Sequence, residues 1–446
     1  RTSERWLLEL AAKVHRQGFD WAAHYRAFPY RERTSGENRN LITHVVNNAM
    51  ALKAPAVWSR QSGDPADGEA SLQAIAALDT WHGQVTGVFS GDEHLAGKNP
   101  SQGTELCAVV EYLFSLEMLA CLLGRPELGD RLERIAFNAL PATFKPDMWA
   151  HQYDQQVNQV IACVAEDRIY VSNGPGANLF GLAPNYGCCT ANMHQGWPKF
   201  AAHLWLQSSD GGLATLAYAP CVVKTSIADT TVRIACQTDY PFGEEVRLIV
   251  EPEATVRFPL HLRIPAWCSA ATFQIDGEEP INLRAGTFYP LWREWQGRTT
   301  LTLRLPMSVV VERRYQGAVA IVRGPLVYSL RIGEEWRLIG GEPPHGDWEV
   351  YPTTPWNYAL RLNPTAPERD LCFIVRGVGD RPFSPEGAPI VARAWGRRLP
   401  GWGLEHNAAA PPPPSPVRSS EPLEELELIP YGCTNLRLTE FPLLEG

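Results

Sequence analysis

The spacing of apolar residues changes once along this chain of 446 residues, near Gly211-Gly212. Before that point, apolar residues recur at every third or fourth position, as they do on one face of an α-helix. Beyond it, they alternate with polar residues in short runs separated by turn residues, which is typical of an all-β sandwich. The sequence therefore predicts a helical first part followed by β-sheet domains, and its length predicts two or three domains in all.

The helical part is expected to hold about seven helices, judged from this periodicity. The strongest pattern runs over residues 105–123, with Thr104 as the expected N-cap and Gly124 as the expected C-cap. Two long polar loops, residues 89–103 and 147–186, separate helices, and long loops on a helical scaffold often carry functional sites. The other predicted helices cover residues 6–14, 41–58, 70–81, 127–140 and 193–207.

The β part is predicted to divide near residues 306–313. The expected domains are a helical domain over residues 1–205, a β-sandwich over 206–308 and a C-terminal β-sandwich over 309–446. Residues 408–420, AAAPPPPSPVRSS, are a low-complexity stretch that predicts an exposed, extended loop. Because the sequence opens in what already resembles a helix, the chain is expected to be cut from a longer one.

Composition argues against several kinds of partner. The net charge is -9 without any Lys/Arg-rich stretch, which disfavours nucleic acid and anionic membranes. No apolar run approaches the roughly 20 residues of a membrane span. The ten cysteines follow no small-scaffold spacing, so free thiols are expected, some of them buried and some bound to metal.

Two groups of residues in the helical part have the chemistry of a metal site. Cys188 and Cys189 are adjacent, and adjacent cysteines rarely form a disulfide because the small ring strains its geometry, but both can bind one soft metal. Glu105 and Cys107 lie at a helix start, where the dipole favours a carboxylate and a thiolate. Three thiolates and one carboxylate suit tetrahedral zinc. The residues alone leave an equal alternative, in which Cys107 is a core thiol and the pair is incidental.

Further candidate positions each have a plain structural alternative. Asp92 and Glu93 lie in a loop ahead of the strongest helix, where a buried carboxylic acid can serve as general acid/base, although a solvated acidic loop fits as well. His44 is expected in the middle of an apolar helix, where a histidine is more often a core residue. Residues 147–154, including Tyr153, combine polar and aromatic groups as a sugar pocket does, or else form a hydrogen-bonded loop.

Long, ordered motifs run through the whole chain. In the helical part they are THVVNNAMALKAPAVW (43–58), FSGDEHLAG (89–97), GTELCAVVEYLFSLE (103–117), DRLERIAFNALPATF (130–144), WAHQYDQQVNQV (149–160) and GCCTANMHQGWPKF (187–200). In the β part they are LRIPAWC (262–268), RGPLVYSL (323–330) and IPYGCTNLRLTEFP (429–442). With these motifs the sequence resembles the β-L-arabinofuranosidase family of glycoside hydrolases, family 127 and its relatives.

The resemblance implies an (α/α)6 barrel followed by β-sandwich domains, and a zinc ion bound by one glutamate and three cysteines. Carried onto this chain, the zinc ligands are Glu105, Cys107, Cys188 and Cys189, and Cys188 also matches the family's nucleophile. A barrel of twelve helices does not fit in residues 1–205. The resemblance therefore implies that this chain holds the C-terminal part of the barrel, without its N-terminal helices.

The same resemblance assigns further roles to single residues. Glu93 best matches the acid/base, because it takes the second position of the family's Gly-Glu segment, here Gly91-Asp92-Glu93. His44 and Tyr153 match positions of the substrate pocket, and Asp92 is expected beside them. The implied reaction is retaining hydrolysis of a β-L-arabinofuranoside through attack by the zinc-bound cysteine.

The chain departs from the family's archetype at two places. The archetype has two prolines after its cysteine pair, where this chain has Thr190-Ala191, and its loop between Glu93 and Glu105 is longer. These differences bear on the identity of the sugar rather than on the metal site.

Three alternatives remain beside this function. The first is hydrolysis of another uncommon sugar, with Lys98 or Lys199 in a basic pocket if that sugar is acidic. The second is a zinc-containing carbohydrate-binding protein without catalysis, and the third is that the chain is inactive on its own. The expected partner is an oligosaccharide or glycoconjugate, and a homodimer is allowed for. Unpaired zinc thiolates favour a reducing, cytoplasmic location.

Overall fold

The computed structural model of the chain describes residues 4–168, 174–182 and 187–445. In this part the α-helices end at Ala202, and all strands except those of one small sheet come after that residue. The predicted mixture of helices followed by sheets is therefore confirmed. The helices are α1 (Arg5–Gln17), α2 (Trp21–Arg26), α3 (Val45–Ala51), α4 (Ala54–Ser62), α5 (Pro65–His82), α6 (Leu106–Leu123), α7 (Pro126–Arg134) and α8 (Gly187–Ala202).

The single helix predicted over residues 41–58 is wrong, because the structure has two short helices there, α3 and α4. The break comes just before Pro55, which has no N–H to continue the hydrogen-bond ladder. His44, expected in mid-helix, is instead the N-cap of α3, where its side chain accepts a hydrogen bond from the Asn47 N–H. The histidine ring therefore lies, half-buried, at a helix start and can face a site.

Helix α6 is the centre of the helical part and packs against α3, α7 and α8. Gly124 is its C-cap in the left-handed conformation, with φ 61°, as predicted. The N-cap prediction is wrong by one residue: Thr104 lies in a strand, and Glu105 is the N-cap. Among the described residues, α6 alone is long and apolar enough to cross a membrane, and two thirds of it is buried in the fold, as in a core helix.

Helix α8 begins earlier than predicted and ends sooner. The expected span was residues 193–207, but the helix runs from Gly187 to Ala202 and carries the cysteine pair in its first turn. Its buried residues are Cys189, Gly196 and Phe200, which are seven and four positions apart, so a cysteine begins the buried face. The predicted helix start was wrong because Cys189 was interpreted as a metal ligand and not as part of the buried face of the helix.

The described parts of the two long loops contain more strand structure than their composition indicates. They contribute the strands β1 (Gly91–Asp92), β2 (His94–Leu95), β3 (Gly103–Glu105) and β4 (Asp154–Gln156), which form one sheet in the order β2-β1-β3-β4. Residues 150–162 are buried, and Gln159 donates to the Asn435 carbonyl. Polar side chains there thus form hydrogen bonds inside the fold. The rest of the second predicted loop includes residues 169–173 and 183–186, which lie outside the described residues.

The β part contains three larger sheets, each with antiparallel neighbours except where β10 meets β6. The first two have the orders β13-β10-β6-β5 and β12-β11-β14-β9-β8-β7. Their strands are β5 (Trp205–Gln207), β6 (Leu213–Thr215), β7 (Cys221–Ile227), β8 (Thr230–Thr238), β9 (Glu245–Pro252), β10 (Val256–Ile264), β11 (Thr272–Ile275), β12 (Ile281–Asn282), β13 (Thr287–Trp295) and β14 (Thr299–Arg304).

The third large sheet follows, with the central order β15-β16-β17-β25-β22-β20, and two hairpins, β18-β19 and β23-β24, accompany it. These strands are β15 (Val309–Arg313), β16 (Val319–Arg323), β17 (Leu326–Arg331), β18 (Glu334–Gly340), β19 (Asp347–Pro352), β20 (Tyr358–Arg361), β21 (Cys372–Val375), β22 (Ile390–Arg398), β23 (Leu404–Glu405), β24 (Ala408–Ala409), β25 (Leu423–Pro430) and β26 (Arg437–Leu438).

The proline-rich stretch at residues 408–420 is extended, as predicted, but it is not an exposed loop. Its first two residues form the buried strand β24, and Pro412 is buried as well. Farther along, Val417 donates its N–H to the Leu443 carbonyl, so the stretch lies against the end of the chain. Prolines suit this position because an extended segment beside an edge needs few donors of its own.

The helical and β parts are joined by buried charges as well as by apolar contacts. One cluster of buried apolar residues extends from α3 and α6 into the sheets. Arg263 of β10 is fully buried, and it pairs with Asp130 and Glu133 of α7. Tyr240 also donates to Glu133, at 2.5 Å. Because buried charges require such partners, this network fixes α7 and the helices around it on the first sheet of the β part.

Candidate metal centre and active site

Three cysteines and one glutamate converge where the first turns of α6 and α8 meet. Glu105 caps α6 and Cys107 follows in its first turn, while Cys188 and Cys189 lie in the first turn of α8. One possible ligand atom from each side chain lies within 4.8 Å of the other three, and the sulfurs of Cys107 and Cys189 are 3.2 Å apart. The four residues named as metal ligands from the sequence are thus together in the fold.

The surroundings of this cluster suit a cation. Glu105, Cys107 and Cys189 are buried, and within the described part of the chain the Oε2 atom of Glu105 has no hydrogen-bond partner. Burial and the neighbouring Cys107 raise the pKa of Glu105 well above its usual value. A cation would coordinate this oxygen and offset the cost of burying a carboxylate. The donor set, its spacing and its burial therefore fit a metal ion.

The cysteines of the pair have different environments. The Cys188 side chain is exposed, whereas Cys189 is fully buried. A hydrogen bond from Cys189 lowers the pKa of Cys188 to about 6, and hydrogen bonds to Cys107 and Cys188 raise the pKa of Cys189. The N-terminus of α8 also favours negative charge. Negative charge is therefore concentrated on the sulfur that solvent reaches, which is the property required of a nucleophile.

Glu93 occupies the tip of the tight turn between β1 and β2. Its backbone has a φ of 64°, an uncommon value for a residue with a side chain. The turn is held against the start of α3, because the Val45 N–H donates to the Glu93 carbonyl at 2.8 Å. It also needs glycine at Gly91, where a Cβ would lie 2.1 Å from a Val45 methyl group. Strained backbone that surrounding contacts hold in place is frequent at functional sites.

Two side chains hold the Glu93 carboxylate. The Tyr153 hydroxyl donates to Oε1 at 2.9 Å, and His44 Nε2 lies 3.0 Å from Oε2. Because His44 Nδ1 accepts from the Asn47 N–H, Nε2 carries the proton and donates to Glu93. A carboxylate oxygen of Glu93 is also within 4.8 Å of one from Glu105. The candidate acid/base, Glu93, is thus held beside the cluster of possible metal ligands.

The third residue expected in the pocket, Asp92, lies differently from its neighbour. It is 2 % exposed, and after burial, the largest cause, its charge adds to raising the pKa values of Tyr153 and Asp154. Asp92 is the last residue of β1 and Glu93 is in the turn that follows, so these sequence neighbours differ in burial. Tyr153 is as deeply buried, at 1 % exposed, and contact of Asp92 with a substrate stays a prediction.

The two lysines considered as contacts for an acidic sugar, Lys98 and Lys199, have partners outside the cluster of cysteines and glutamate. The ammonium group of Lys199 lies 4.0 Å from the centre of the Phe114 ring. Lys199 follows Cys188 by eleven residues on α8, which corresponds to roughly 16 Å along the axis. The pKa of Lys98 is lowered by burial and by the nearby Arg314, which is part of the contact with the β part. These contacts of both lysines are with residues outside the cluster of cysteines and glutamate.

Two residues that support the site, His151 and Asp154, were not predicted individually from the sequence. His151 Nε2 lies 3.1 Å from the hydroxyl of Thr190, the residue that follows the cysteine pair, and this contact fixes the start of α8. Asp154 is the register partner of Glu105 and is fully buried. Both residues lie in the motif at residues 149–160, but only the fold shows which partners they have.

The family comparison identifies one segment of the chain. A family model described as the middle domain of GH127 beta-L-arabinofuranosidases matches residues 212–307. The matched segment contains the strands from β6 to β14 and thus most of the first two sheets of the β part. The family resemblance that the motifs indicated is therefore confirmed in this segment.

Solved structures extend the likeness to the whole fold. A GH127 beta-L-arabinofuranosidase from Geobacillus stearothermophilus T6 is 21 % identical with a TM-score of 0.65, over 90 % of this chain and 60 % of that one. A glycoside hydrolase is 18 % identical with a TM-score of 0.69, over 100 % and 73 %. A GH127 beta-arabinofuranosidase is 16 % identical with a TM-score of 0.63, over 97 % and 67 %.

At these identities, the solved structures establish a shared fold. The chain spans 60 % of the length of the Geobacillus enzyme. A search of curated proteins finds no match to this chain.

Proposed function

We propose that this protein is a retaining glycoside hydrolase that releases L-arabinose from β-L-arabinofuranosides. The observation that carries the proposal is the convergence of an accessible thiol of low pKa, Cys188, with a held carboxyl group, Glu93, around the same buried Glu105. The match to the GH127 middle domain supports the family of reaction. The names of two relatives supply the sugar, because both are arabinofuranosidases.

The metal in this proposal is zinc, held by Glu105, Cys107, Cys188 and Cys189. Two sulfurs bound at about 2.3 Å to one tetrahedral zinc are about 3.8 Å apart, which is compatible with a cluster whose ligand atoms lie within 4.8 Å. When bound, zinc keeps thiolates ionised at neutral pH. Thiolates are soft ligands of the kind that select zinc over magnesium or calcium, and a carboxylate can complete the tetrahedral set of four.

In the first step, the Cys188 thiolate attacks the anomeric carbon and Glu93 donates a proton to the leaving oxygen. Most retaining glycosidases use a carboxylate as nucleophile, and here a thiolate takes that part. Tyr153 and His44 orient Glu93 from either side of its carboxylate. The buried partners Cys107 and Cys189 hold the reactive sulfur at the start of α8.

In the second step, Glu93 removes a proton from water, and the water oxygen displaces Cys188 from the sugar. Two displacements at the same carbon return the original configuration, so the enzyme is a retaining one. The residue that gave the proton is thereby the one that takes it back. A single carboxyl group and a single thiol account for the full cycle.

The architecture that goes with this function is part of the proposal. The helical residues 1–205 form the C-terminal part of an (α/α)6 barrel, residues 206–308 form one β-sandwich, and residues 309–446 form another. The substrate is a β-L-arabinofuranosyl group on an oligosaccharide or glycoconjugate. The reducing environment that suits zinc thiolates favours the cytoplasm.

Hydrolysis of a panel of aryl glycosides that includes aryl β-L-arabinofuranoside tests this function. The zinc content of each preparation is measured by elemental analysis, and Cys188→Ala is the matched variant. Release of arabinose by the wild type and not by Cys188→Ala is the expected result. A folded, zinc-loaded wild type that cleaves none of the glycosides would contradict the proposed activity and favour a carbohydrate-binding protein.

A further inference from the structure

A second pair of cysteines faces each other in the β part, away from the metal cluster. Cys221 is the first residue of β7, and its register partner across the antiparallel ladder is Cys236 in β8. Both residues are free thiols. Cys236 is 5 % exposed and belongs to the core, while Cys221 is half-buried and packs against the same core. The two side chains therefore lie on one face of the sheet, side by side.

The Cα separation that an antiparallel ladder gives to register partners lies within the range that a disulfide spans. Directly opposed residues of antiparallel strands have Cα atoms about 4.5–5.5 Å apart. A disulfide joins Cα atoms about 4.4–6.8 Å apart, so the ladder already sets the required separation. Cys372 differs in this respect, because it is exposed on β21 and its register partner is Arg393.

The surroundings also give the two sulfurs different reactivity. The Trp205 indole N–H donates to the Cys221 sulfur at 3.4 Å. A hydrogen bond from Cys236 lowers the pKa of Cys221 to about 7, and the same contact, together with burial, raises the pKa of Cys236. A partly accessible thiol of low pKa beside a second thiol is the arrangement of an attacking cysteine and a resolving cysteine.

We propose that Cys221 and Cys236 are a thiol–disulfide site that reacts with low-molecular-weight disulfides such as glutathione disulfide. The Cys221 thiolate attacks one sulfur of glutathione disulfide and displaces one glutathione thiolate. Cys236, deprotonated, then attacks the Cys221 sulfur of the mixed disulfide and displaces the second glutathione. Two protein thiols are oxidised, one glutathione disulfide is reduced to two glutathiones, and these take up the two protons.

Formation of this disulfide would affect one edge of the six-stranded sheet. Strand β7 is the outer strand of the six-stranded sheet, and its other edge has no strand beside it in the described residues. A Cys221–Cys236 disulfide would link this edge strand covalently to β8. The contact of Trp205 with Cys221 also connects the site to β5, which follows α8 directly in the chain. This inference is independent of the proposed glycosidase activity.

The sequence allows a direct test by peptide mapping. Trypsin, which cleaves after lysine and arginine, separates the two cysteines into peptides 200–224 and 234–247, each with one cysteine. The wild-type protein is incubated with glutathione disulfide, remaining thiols are blocked with iodoacetamide, and the digest is analysed without reduction. The expected product is the two peptides joined, with a mass lower by two hydrogen atoms than the sum of the free peptides.

Two internal comparisons make the result decisive. Peptide 370–376 carries the exposed Cys372 of the third large sheet, which is expected to be found alkylated or bound to glutathione, never joined to peptide 200–224 or 234–247. In Cys236→Ser, peptide 200–224 is expected to retain one glutathione, because the resolving thiol is gone. The proposal is overturned if wild-type Cys221 is recovered only alkylated, or only as a mixed disulfide, while Cys372 has reacted. The wild-type digest alone decides this if the variant does not fold.

Discussion

At the scale of single residues, two adjacent cysteines differ in exposure and in pKa because their surroundings differ. Cys189 is buried against Cys107, and Cys188 reaches solvent. The sequence could name both as ligands from residue type and adjacency. It could not distinguish them, because hydrogen bonds and exposure depend on how α6 and α8 meet. The same limit applies to Asp92 and Glu93, which are neighbours in the chain but differ in burial in the fold.

Alkylation of the metal-free protein checks the ionisation of Cys188. Because hydrogen bonding lowers its pKa to about 6, the thiolate is populated above that pH and lost below it. The rate of reaction with iodoacetamide, followed by peptide mass, should rise with a midpoint near pH 6. Cys121 is the comparison, since burial raises its pKa. A Cys188 rate that rises only above about pH 8.5, the range of ordinary thiols, would refute this assignment.

Replacement of the acid/base Glu93 should lower kcat by an amount that depends on the leaving group. Glu93→Gln is expected to lower kcat by about 10²–10⁴-fold on alkyl β-L-arabinofuranosides, whose leaving oxygen needs a proton. The loss in the first step should be much smaller for aryl glycosides with good leaving groups. Steady-state and burst kinetics on both substrates measure the difference. Equal losses in the first step would argue that Glu93 does not donate the proton.

At the scale of elements, the site depends on two short strands and on the helix starts that they contact. Periodicity predicted α5 and α6 well, because long apolar faces determine them. It could not predict β1 or β2, which have two residues each and are fixed by contacts with the start of α3. The prediction that His44 lies in mid-helix was wrong for a similar reason. The predicted helix is divided before Pro55, and His44 caps the start of its first half.

The turn that carries Glu93 should not tolerate a side chain at Gly91. In Gly91→Ala, the new Cβ would lie 2.1 Å from the Val45 methyl group and 2.5 Å from the His94 carbonyl oxygen. Overpacking of this kind costs about 1–3 kcal/mol, and displacement of Glu93 should lower kcat by about 10²-fold. Urea unfolding and steady-state rates measure both effects.

Gly97→Ala is the matched control for this turn. Gly97 also has a positive φ, of 83°, but its nearest neighbour would be 3.6 Å from the new Cβ. Backbone strain should therefore destabilise both variants, and only Gly91→Ala should lose activity at temperatures where it is folded. If Gly97→Ala lost activity to the same extent, the argument from the close contact at Gly91 would be wrong.

At the scale of the whole molecule, helices and sheets form one interior with charges inside it. The change of hydrophobic period predicted the two parts and their order. It could not predict that Arg263, 133 residues from Asp130 in the sequence, would neutralise two acidic residues of α7. Long-range pairing of this kind leaves no local pattern. The burial of residues 150–162 was missed for a related reason, because their polar side chains bind the distant end of the chain.

Loss of the buried arginine should uncouple the two parts. Arg263→Met would leave Glu133 as an unpaired charge with no solvent exposure, which costs about 3–5 kcal/mol of unfolding free energy. Arg304→Ala is the surface control, since Arg304 is 65 % exposed and its ion pair with Glu245 is worth about 0–1 kcal/mol. Urea unfolding followed by tryptophan fluorescence measures both. Similar small losses in the two variants would contradict the role assigned to the network.

The central claim is that the sugar is transferred to the sulfur of Cys188. The most direct measurement is mass analysis of Glu93→Gln after reaction with aryl β-L-arabinofuranoside and acid quenching, because this variant makes the adduct but lacks the base that hydrolyses it. One pentosyl group on tryptic peptide 169–199, absent when Cys188→Ala is added to Glu93→Gln, is the predicted result. Aryl release at an undiminished rate by the Cys188→Ala variant, with no sugar on that peptide in any protein, would contradict the account.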